Sequence, residues 1–138
     1  MTRRFNHEKL HAYGRAVEFC SWVTPVIESL PSRLAARDQL DRASTSVVLN
    51  IAEGNGKRSY PDRSRFFDIA RGSALECAAC LDVLVSRSQM DQNTANEGKV
   101  ILIETVSMIG GLIARFAGEG RLEEDQAGYS GDKDNDNE

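Results

Sequence analysis

The chain has 138 residues, 41% hydrophobic and 28% charged, enough for one domain with a real core. No apolar run approaches the roughly 20 residues of a membrane span, and no signal-peptide pattern follows the basic N-terminus. Three cysteines, an odd number without the spacing of a disulfide framework, favour reduced thiols. We therefore expect a cytoplasmic protein without a membrane partner.

The net charge of −4 is distributed unevenly. Residues 118–138 hold eight acids and two bases, a net −6, so the remaining 15 bases and 13 acids give +2. This acidic segment is rich in Gly, Asp and Asn and has few large apolar side chains, a composition that predicts disorder. We expect a folded domain over 1–117 and an acidic, disordered tail over 118–138.

Apolar residues spaced three or four apart from Leu10 to Leu30, Val17 among them, predict a first helix over about 7–30. A second helix is predicted over about 33–53, with Ser32 as its N-cap. The glycines of the Gly54-Asn55-Gly56 sequence are expected to end it, because glycine tolerates positive φ.

Ser59, Pro61 and Asp62 form a start signal for a third helix over about 60–88, whose apolar residues keep three- and four-residue steps throughout. A capping box of Thr94 and Glu97 precedes a fourth helix over about 95–117. The Gly110-Gly111 pair inside it predicts a close backbone neighbour, since glycine is costly within a helix. Four helices with short connections predict an all-α, antiparallel up-down-up-down four-helix bundle.

Polar residues form a second stripe on the second helix and reappear on the third, at six positions: Arg42, Ser46, Asn50, Glu53, Ser73 and Glu76. If these side chains face inward, their charges must pair, because an isolated buried charge is very costly. We predict a buried network in which Arg42 meets Glu53 or Glu76 and fixes the helix register. A solvated helix face is the alternative.

Two motifs in this region, Asn50-Ile51-Ala52-Glu53-Gly54 and Arg71-Gly72-Ser73-x2-Glu76, carry a family resemblance that spans roughly residues 5 to 117. The chain resembles the four-helix-bundle family of the 23S rRNA intervening-sequence proteins. The resemblance implies a homopentameric ring with no enzymatic activity and no cofactor. A related branch, the accessory protein of diversity-generating retroelements, is a basic pentamer that associates with a reverse transcriptase and with nucleic acid. The acidic segment departs from that branch.

The sequence His7-Glu8-Lys9-Leu10-His11 matches the H-E-x-x-H zinc signature. On a helix, His7 and His11 would share a face, with Glu8 as a candidate general base of a metal-dependent hydrolase. They are the only two histidines in the chain, and they lie at the start of the first helix. We therefore interpret His7 and His11 as surface residues and predict no metal site.

Cys77 and Cys80 form a lone C-x-x-C in the middle of the third helix. Structural zinc needs four ligands, and a redox pair needs a helix N-terminus to lower the thiol pKa. Cys77 falls on the apolar face of the helix, and Cys20 on that of the first helix. We therefore predict thiols packed in the core.

Basic residues surround the turn between the second and third helices, with Tyr60 and Phe66 among them: Lys57, Arg58, Arg63, Arg65 and Arg71. Such side chains at one end of a bundle suit phosphates, and copies in a ring would multiply a weak site. The preferred hypothesis is a non-enzymatic homo-oligomeric scaffold that binds RNA, DNA or a nucleic-acid-handling protein through this end. The alternative is a structural or protein-interaction module whose basic end is merely solvated.

Overall fold

A computed structural model describes the backbone of residues 3–135 and the side chains of residues 3–120 and 122. A 3-10 helix, Asn6–Lys9, precedes four α-helices: α1 His11–Ser29, α2 Ala35–Gly56, α3 Tyr60–Ser86 and α4 Gln92–Asn135. Each helix packs on its neighbour in the chain, α4 also packs on α1, and no strand occurs in this range. The predicted all-α four-helix bundle is confirmed.

The core is built from one face of each helix. On α3, the apolar residues at regular three- and four-residue steps are buried, as predicted. Its buried side chains include Phe67, Ala70, Ala74, Cys77, Leu81 and Leu84. On α2, Leu40, Val47 and Ile51 are buried, and on α4 Ile109 is fully buried. The apolar period therefore predicts the inner faces of α2, α3 and α4 correctly.

The predicted inner face of α1 is wrong by part of a turn. The helix buries Ala12, Ala16, Phe19 and Val23, whereas Val17 is 40% exposed. The sequence holds two apolar stripes on α1 at three- and four-residue steps, and the structure buries the one that contains Ala12, Ala16 and Phe19. Leu10 is extended, with φ −78° and ψ 129°, and separates the 3-10 helix from α1.

Several predicted helix ends also differ from the structure. Helix α2 begins at Ala35 with Leu34 at the N-cap, so Ser32 is not a cap. The Asp91 carboxylate accepts the Thr94 N–H at 2.7 Å, which makes Asp91, rather than Thr94, the cap of α4. This hydrogen bond lowers the pKa of Asp91. The predicted start of α3 is correct, since Ser59 Oγ accepts the Asp62 N–H at 3.2 Å.

Helix α4 continues to Asn135, past its predicted end at residue 117 and through most of the acidic segment. Seven of the nine residues 119–127 are Glu, Arg, Leu, Gln or Ala, which favour helix, and adding residues to an existing helix is cheap. Residues 136–138 lie outside the described residues. The division into a domain over 1–117 and a disordered tail over 118–138 stays a prediction.

By length and composition alone, the Gln92–Gly120 part of α4 could cross a membrane: its most apolar 18-residue window has a mean hydropathy of 1.8. No unbroken apolar run marks this stretch in the sequence, because Glu104 and Arg115 interrupt it. Only 22% of that window is buried inside the bundle. The outer side of α4 therefore carries large apolar side chains, Val100 and Ile103 among them, beside charged residues such as Glu104.

At the end of α2, Gly54 permits close packing of the helix against α3 and does not form a turn. The helix runs through Gly54 to Gly56, and no described glycine has a positive φ. A Cβ on Gly54 would lie 2.8 Å from the Phe67 ring and 3.2 Å from the Arg63 carbonyl oxygen, whereas one on Gly56 would meet nothing within 4 Å. Helix α2 thus ends at Gly56, within the sequence predicted to end it, but the predicted reason, a positive φ at glycine, is wrong.

The Gly110-Gly111 pair differs from the prediction too, because a Cβ at either position would meet nothing within 4 Å in the part of the chain that is described.

We predict that Gly54→Ala lowers the free energy of unfolding by about 1–3 kcal/mol, because the added methyl overpacks the contact with Phe67. Gly56→Ala, two residues along the same helix, is the matched control and should be neutral or stabilise by up to about 1 kcal/mol. Urea unfolding followed by circular dichroism measures both. Equal effects of the two substitutions would contradict the close approach of α2 and α3.

Candidate nucleic-acid interface

Three stacked aromatic rings close the end of the bundle where α2 ends, α3 begins and α4 passes by. The Phe116 ring stacks on Phe67 and on Tyr60, with centroids 5.6 and 5.9 Å apart. The Arg63 guanidinium lies 4.8 Å from the Phe116 centroid and 5.6 Å from that of Tyr60. Its Nε donates to the Lys57 carbonyl oxygen at 2.6 Å, so Arg63 joins the α2–α3 turn to these rings.

Two further cations lie on the ring of Phe66, the next aromatic side chain of α3. Lys57 Nζ is 4.8 Å and the Arg65 guanidinium 5.1 Å from its centroid. Cation–π contacts of this kind hold long basic side chains close to the surface and reduce their freedom. The turn therefore presents ordered positive groups beside half-buried aromatic rings.

Antiparallel packing brings basic residues from elsewhere to this same end. Arg115 of α4 lies over Phe116, 5.1 Å from its centroid. The 3-10 helix packs on α2, and His7 lines a groove with Lys57. We call this surface the basic end: Lys57, Arg58, Arg63, Arg65 and Arg115. Sequence reasoning missed Arg115, although antiparallel α3 and α4 must place the end of one beside the start of the other.

Acidic residues neutralise part of the basic end. Exposed ion pairs join Lys57 to Glu53 at 3.4 Å, Arg65 to Asp62 at 3.9 Å and Arg115 to Glu119 at 3.2 Å. Such pairs are worth little in water, so phosphates can compete for the cations. Arg58 and Arg63 make no ion pair among the described residues.

Arg71 is not part of this surface. It follows Arg63 by eight residues, about 12 Å along α3, and is exposed on the side of the bundle. The predicted group of five basic residues is therefore divided: four lie at the end of the bundle and Arg71 does not.

The polar stripe divides in a similar way. Ser46 Oγ and Ser73 Oγ hydrogen bond at 2.8 Å between α2 and α3, and Asn50 Nδ2 donates to the Ser46 carbonyl oxygen at 2.9 Å and to Ser46 Oγ at 3.0 Å. Ser73 is buried, and Ser46 and Asn50 are half-buried. Neutral groups thus form a small hydrogen-bonded cluster in the helix interface.

The three charged members of the stripe stay outside that cluster. Arg42, Glu53 and Glu76 are exposed, and Arg42 forms no ion pair in the described range. Arg42 and Glu53 are eleven residues apart on one helix, about 16 Å, so they cannot meet. Arg42 and Glu76 line a shared groove of about 240 Å³ without forming an ion pair. The predicted charge pairing is wrong, because Arg42 and Glu76 stay exposed and the Ser46 and Ser73 hydroxyls make the hydrogen bond between α2 and α3.

The two histidines do not form the pair that a zinc protease needs. His7 lies in the 3-10 helix and His11 opens α1, with the extended Leu10 between them, so they share no helical face. The His7 ring instead packs against Phe5 and Tyr13, with centroids 5.7 and 4.8 Å away. No group of three His, Cys, Asp or Glu residues that could hold a metal occurs within the described part of the chain.

The cysteines are free thiols in a packed environment. Cys77 and Cys80 are buried and Cys20 is half-buried, with its Sγ donating to the Ser44 carbonyl oxygen at 3.4 Å. Burial raises the pKa of Cys77 to about 12 and also raises those of Cys20 and Cys80. Raised thiol pKa values oppose the thiolate chemistry of redox and metal sites.

We predict that iodoacetamide at pH 8 labels Cys77 in the folded protein at least a hundredfold more slowly than in 8 M urea. The thiolate of a group with a pKa of about 12 is only about one part in ten thousand at that pH, and the core excludes the reagent. Mass spectrometry of a labelling time course measures the rate. Fast labelling of folded protein, or a Cys77–Cys80 disulfide after mild oxidation, would contradict the packed-thiol interpretation.

Comparison with solved structures finds the same fold in a crystal structure of a protein of unknown function from the S23 ribosomal protein family of Bacteroides thetaiotaomicron. The TM-score is 0.69 at 19% sequence identity, and the match covers 74% of this chain and 97% of the other. No curated protein matches the chain. The family model described as 23S rRNA-intervening sequence protein matches residues 8–111, most of the bundle. The chain belongs to the 23S rRNA-intervening sequence protein family.

Proposed function

We propose that the chain is a non-enzymatic, homo-oligomeric helical scaffold, with a pentamer as the expected assembly, and that it binds RNA or DNA through the basic end. The proposal rests on one observation: Lys57, Arg63 and Arg65 lie over aromatic rings at the end of the bundle. The cations supply the contact to phosphates, and the rings beneath them restrict the positions that these side chains adopt.

The electrostatics of the domain agree with a modest affinity for each copy. Residues 1–117 carry only +2, and three cations of the basic end already have acidic partners. Several copies on one strand would raise the apparent affinity by multivalency, without any new contact within a copy. An assembly of several copies would therefore compensate for the weak phosphate binding of each copy.

A structural or protein-interaction module without nucleic-acid binding is the second candidate. The exposed ion pairs of Lys57 and Arg65 favour it, because they give these cations a role within the chain. A nucleic-acid-handling protein with an acidic surface would use the same cations.

We predict that fluorescently labelled single-stranded RNA or DNA binds the wild-type protein at 50 mM salt, with an affinity that falls steeply by 200 mM. The double substitution Arg58→Ala with Arg65→Ala should lower the magnitude of the slope of log affinity against log salt by about 1.4, about 0.7 for each lost phosphate contact. Fluorescence anisotropy measures both quantities.

Arg33→Ala with Arg87→Ala is the charge-matched control, because both residues are exposed at the opposite end of the bundle. This control should bind like the wild type. Equal losses in the two double variants would show binding by net charge alone and contradict the assignment to the basic end. Absence of binding at 50 mM salt would favour the module without nucleic-acid binding.

The non-enzymatic part of the proposal has its own test. We expect zinc and other transition metals well below one per chain in protein purified without chelators, because His7 and His11 share no helical face. Elemental analysis by mass spectrometry measures this. One equivalent of zinc that is lost in a His11→Ala variant would instead support a metal-dependent hydrolase.

A further inference from the structure

A groove of about 240 Å³ with mostly polar walls lies between α2 and α3. We call it the polar groove, after the residues that line it: Gln39, Arg42, Ala43, Ser46, Ser73 and Glu76. Arg42 precedes Lys57 by fifteen residues, about 22 Å along the helix axis, so a small molecule in the polar groove would not touch the basic end.

The two serines of the polar groove have one hydroxyl hydrogen that no described residue accepts. Each hydroxyl carries a single hydrogen, and the 2.8 Å bond between Ser46 Oγ and Ser73 Oγ uses only one of the two. Asn50 Nδ2 is a donor to Ser46 Oγ, at 3.0 Å, and accepts nothing from it. Neither serine donates to a carbonyl of its own helix, as Ser44 and Thr105 do. Whichever serine donates to the other, the pair keeps one donor for an acceptor from outside the chain.

Burial makes this free donor costly to leave unpaired. Ser73 is only 9% exposed and Ser46 is half-buried, so their remaining partner must enter through the polar groove. Water can accept one hydrogen, but a carboxylate oxygen accepts it more strongly, because hydrogen bonds to an ionised group are roughly twice as strong as neutral ones. The serine pair therefore favours an anionic oxygen at the polar groove.

The polar groove also has two charges of opposite sign that do not pair with each other. Arg42 of α2 and Glu76 of α3 are exposed and line it together, yet neither forms an ion pair with any described residue. A guanidinium group presents planar donors that match a carboxylate, whereas a carboxylate accepts from an ammonium group. Charges arranged in this way suit a ligand that itself carries one group of each sign.

We infer that the polar groove binds a free α-amino acid in its zwitterionic form. The carboxylate of the ligand accepts from Arg42 and from the free serine hydroxyl, and its ammonium group donates to Glu76. The inference goes beyond the proposed function, because it places a small-molecule site on a part of the bundle that the nucleic-acid contact does not use.

The size and charge of the polar groove exclude larger anionic ligands. Its volume is below the roughly 300 Å³ at which pockets for drug-sized molecules begin. A nucleotide would bring phosphate charge beside Glu76 with no positive group to offset it. The side chain of a bound amino acid would extend toward the exposed Gln39, Arg42 and Glu76 and into solvent.

The test uses the full chain and three probes in saturation-transfer difference NMR, which observes the ligand and works at any assembly size. L-Alanine carries both charged groups, propionate lacks the ammonium group, and ethylamine lacks the carboxylate. We expect L-alanine to bind with a dissociation constant of about 1 mM, in keeping with its six non-hydrogen atoms. Propionate and ethylamine should each bind at least about tenfold more weakly, because each loses one charge-assisted contact.

Single substitutions assign the two charges of the polar groove. Arg42→Ala should weaken the binding of L-alanine at least about tenfold, because the carboxylate loses its charged donor. Arg71→Ala is the charge-matched control, since Arg71 is exposed on α3 and does not line the polar groove, and it should bind like the wild type. Glu76→Gln keeps the size of the side chain but removes its charge. It should weaken the binding of L-alanine and strengthen that of propionate, which Glu76 repels. Circular dichroism verifies the fold of each variant.

Opposite responses of L-alanine and propionate to Glu76→Gln would support the inference, because a merely structural role of Glu76 would not separate the two probes. Three results would overturn it: no saturable binding of L-alanine up to about 20 mM, equal affinities for L-alanine and propionate, or equal losses in Arg42→Ala and Arg71→Ala. The second result would indicate a simple anion site, and the third would indicate binding by net charge. Each of them leaves the proposed function intact, since none concerns the basic end.

Discussion

The contact between Gly54 and the Phe67 ring determines how closely α2 and α3 approach at the basic end. A methyl group on Gly54 would lie 2.8 Å from the Phe67 ring, so only glycine permits this spacing. Phe67 in turn stacks on Phe116 of α4, and Phe116 on Tyr60. This stack closes the core and supplies the aromatic surface on which Arg63 and Arg115 lie. This packing contact therefore helps to position the end of α2, the start of α3 and the neighbouring part of α4, which together form the basic end.

A polar cluster joins α2 and α3 further along the two helices. The hydroxyls of Ser46 and Ser73 hydrogen bond between the helices, and Asn50 donates to both Ser46 oxygens from within α2. Longer charged side chains on the same stripe extend into solvent instead. The cluster thus helps to set the register between α2 and α3. The charged side chains of Arg42, Glu53 and Glu76 lie outside it.

Periodicity in the sequence predicts the fold because the burial of apolar side chains is the main force that stabilises a bundle. The step of three and four residues on α3 identifies its buried residues correctly, and Ser59 marks where the helix begins. Periodicity misleads where something other than apolarity decides which residues are buried. Helix α1 turns its small Ala12 and Ala16 inward and leaves Val17 outside, and no local pattern distinguishes Asp91 from Thr94 as the cap of α4.

The candidate site was predictable only in part, because its residues meet through tertiary packing. The spacing of Lys57, Arg58, Arg63 and Arg65 indicates a basic turn, but Arg115 joins it through the antiparallel pairing of α3 and α4. Arg71 is near in sequence and far along the helix.

In the proposed function, the ordered cations at the aromatic end of the bundle are the contact surface for nucleic acid. Hydrogen–deuterium exchange with and without single-stranded RNA at 50 mM salt would locate that surface. We expect added protection confined to the α2–α3 turn, residues 57–66, and to the neighbouring part of α4 around Phe116. Unchanged exchange at the turn, or protection restricted to the opposite end around Arg33 and Arg87, would contradict it.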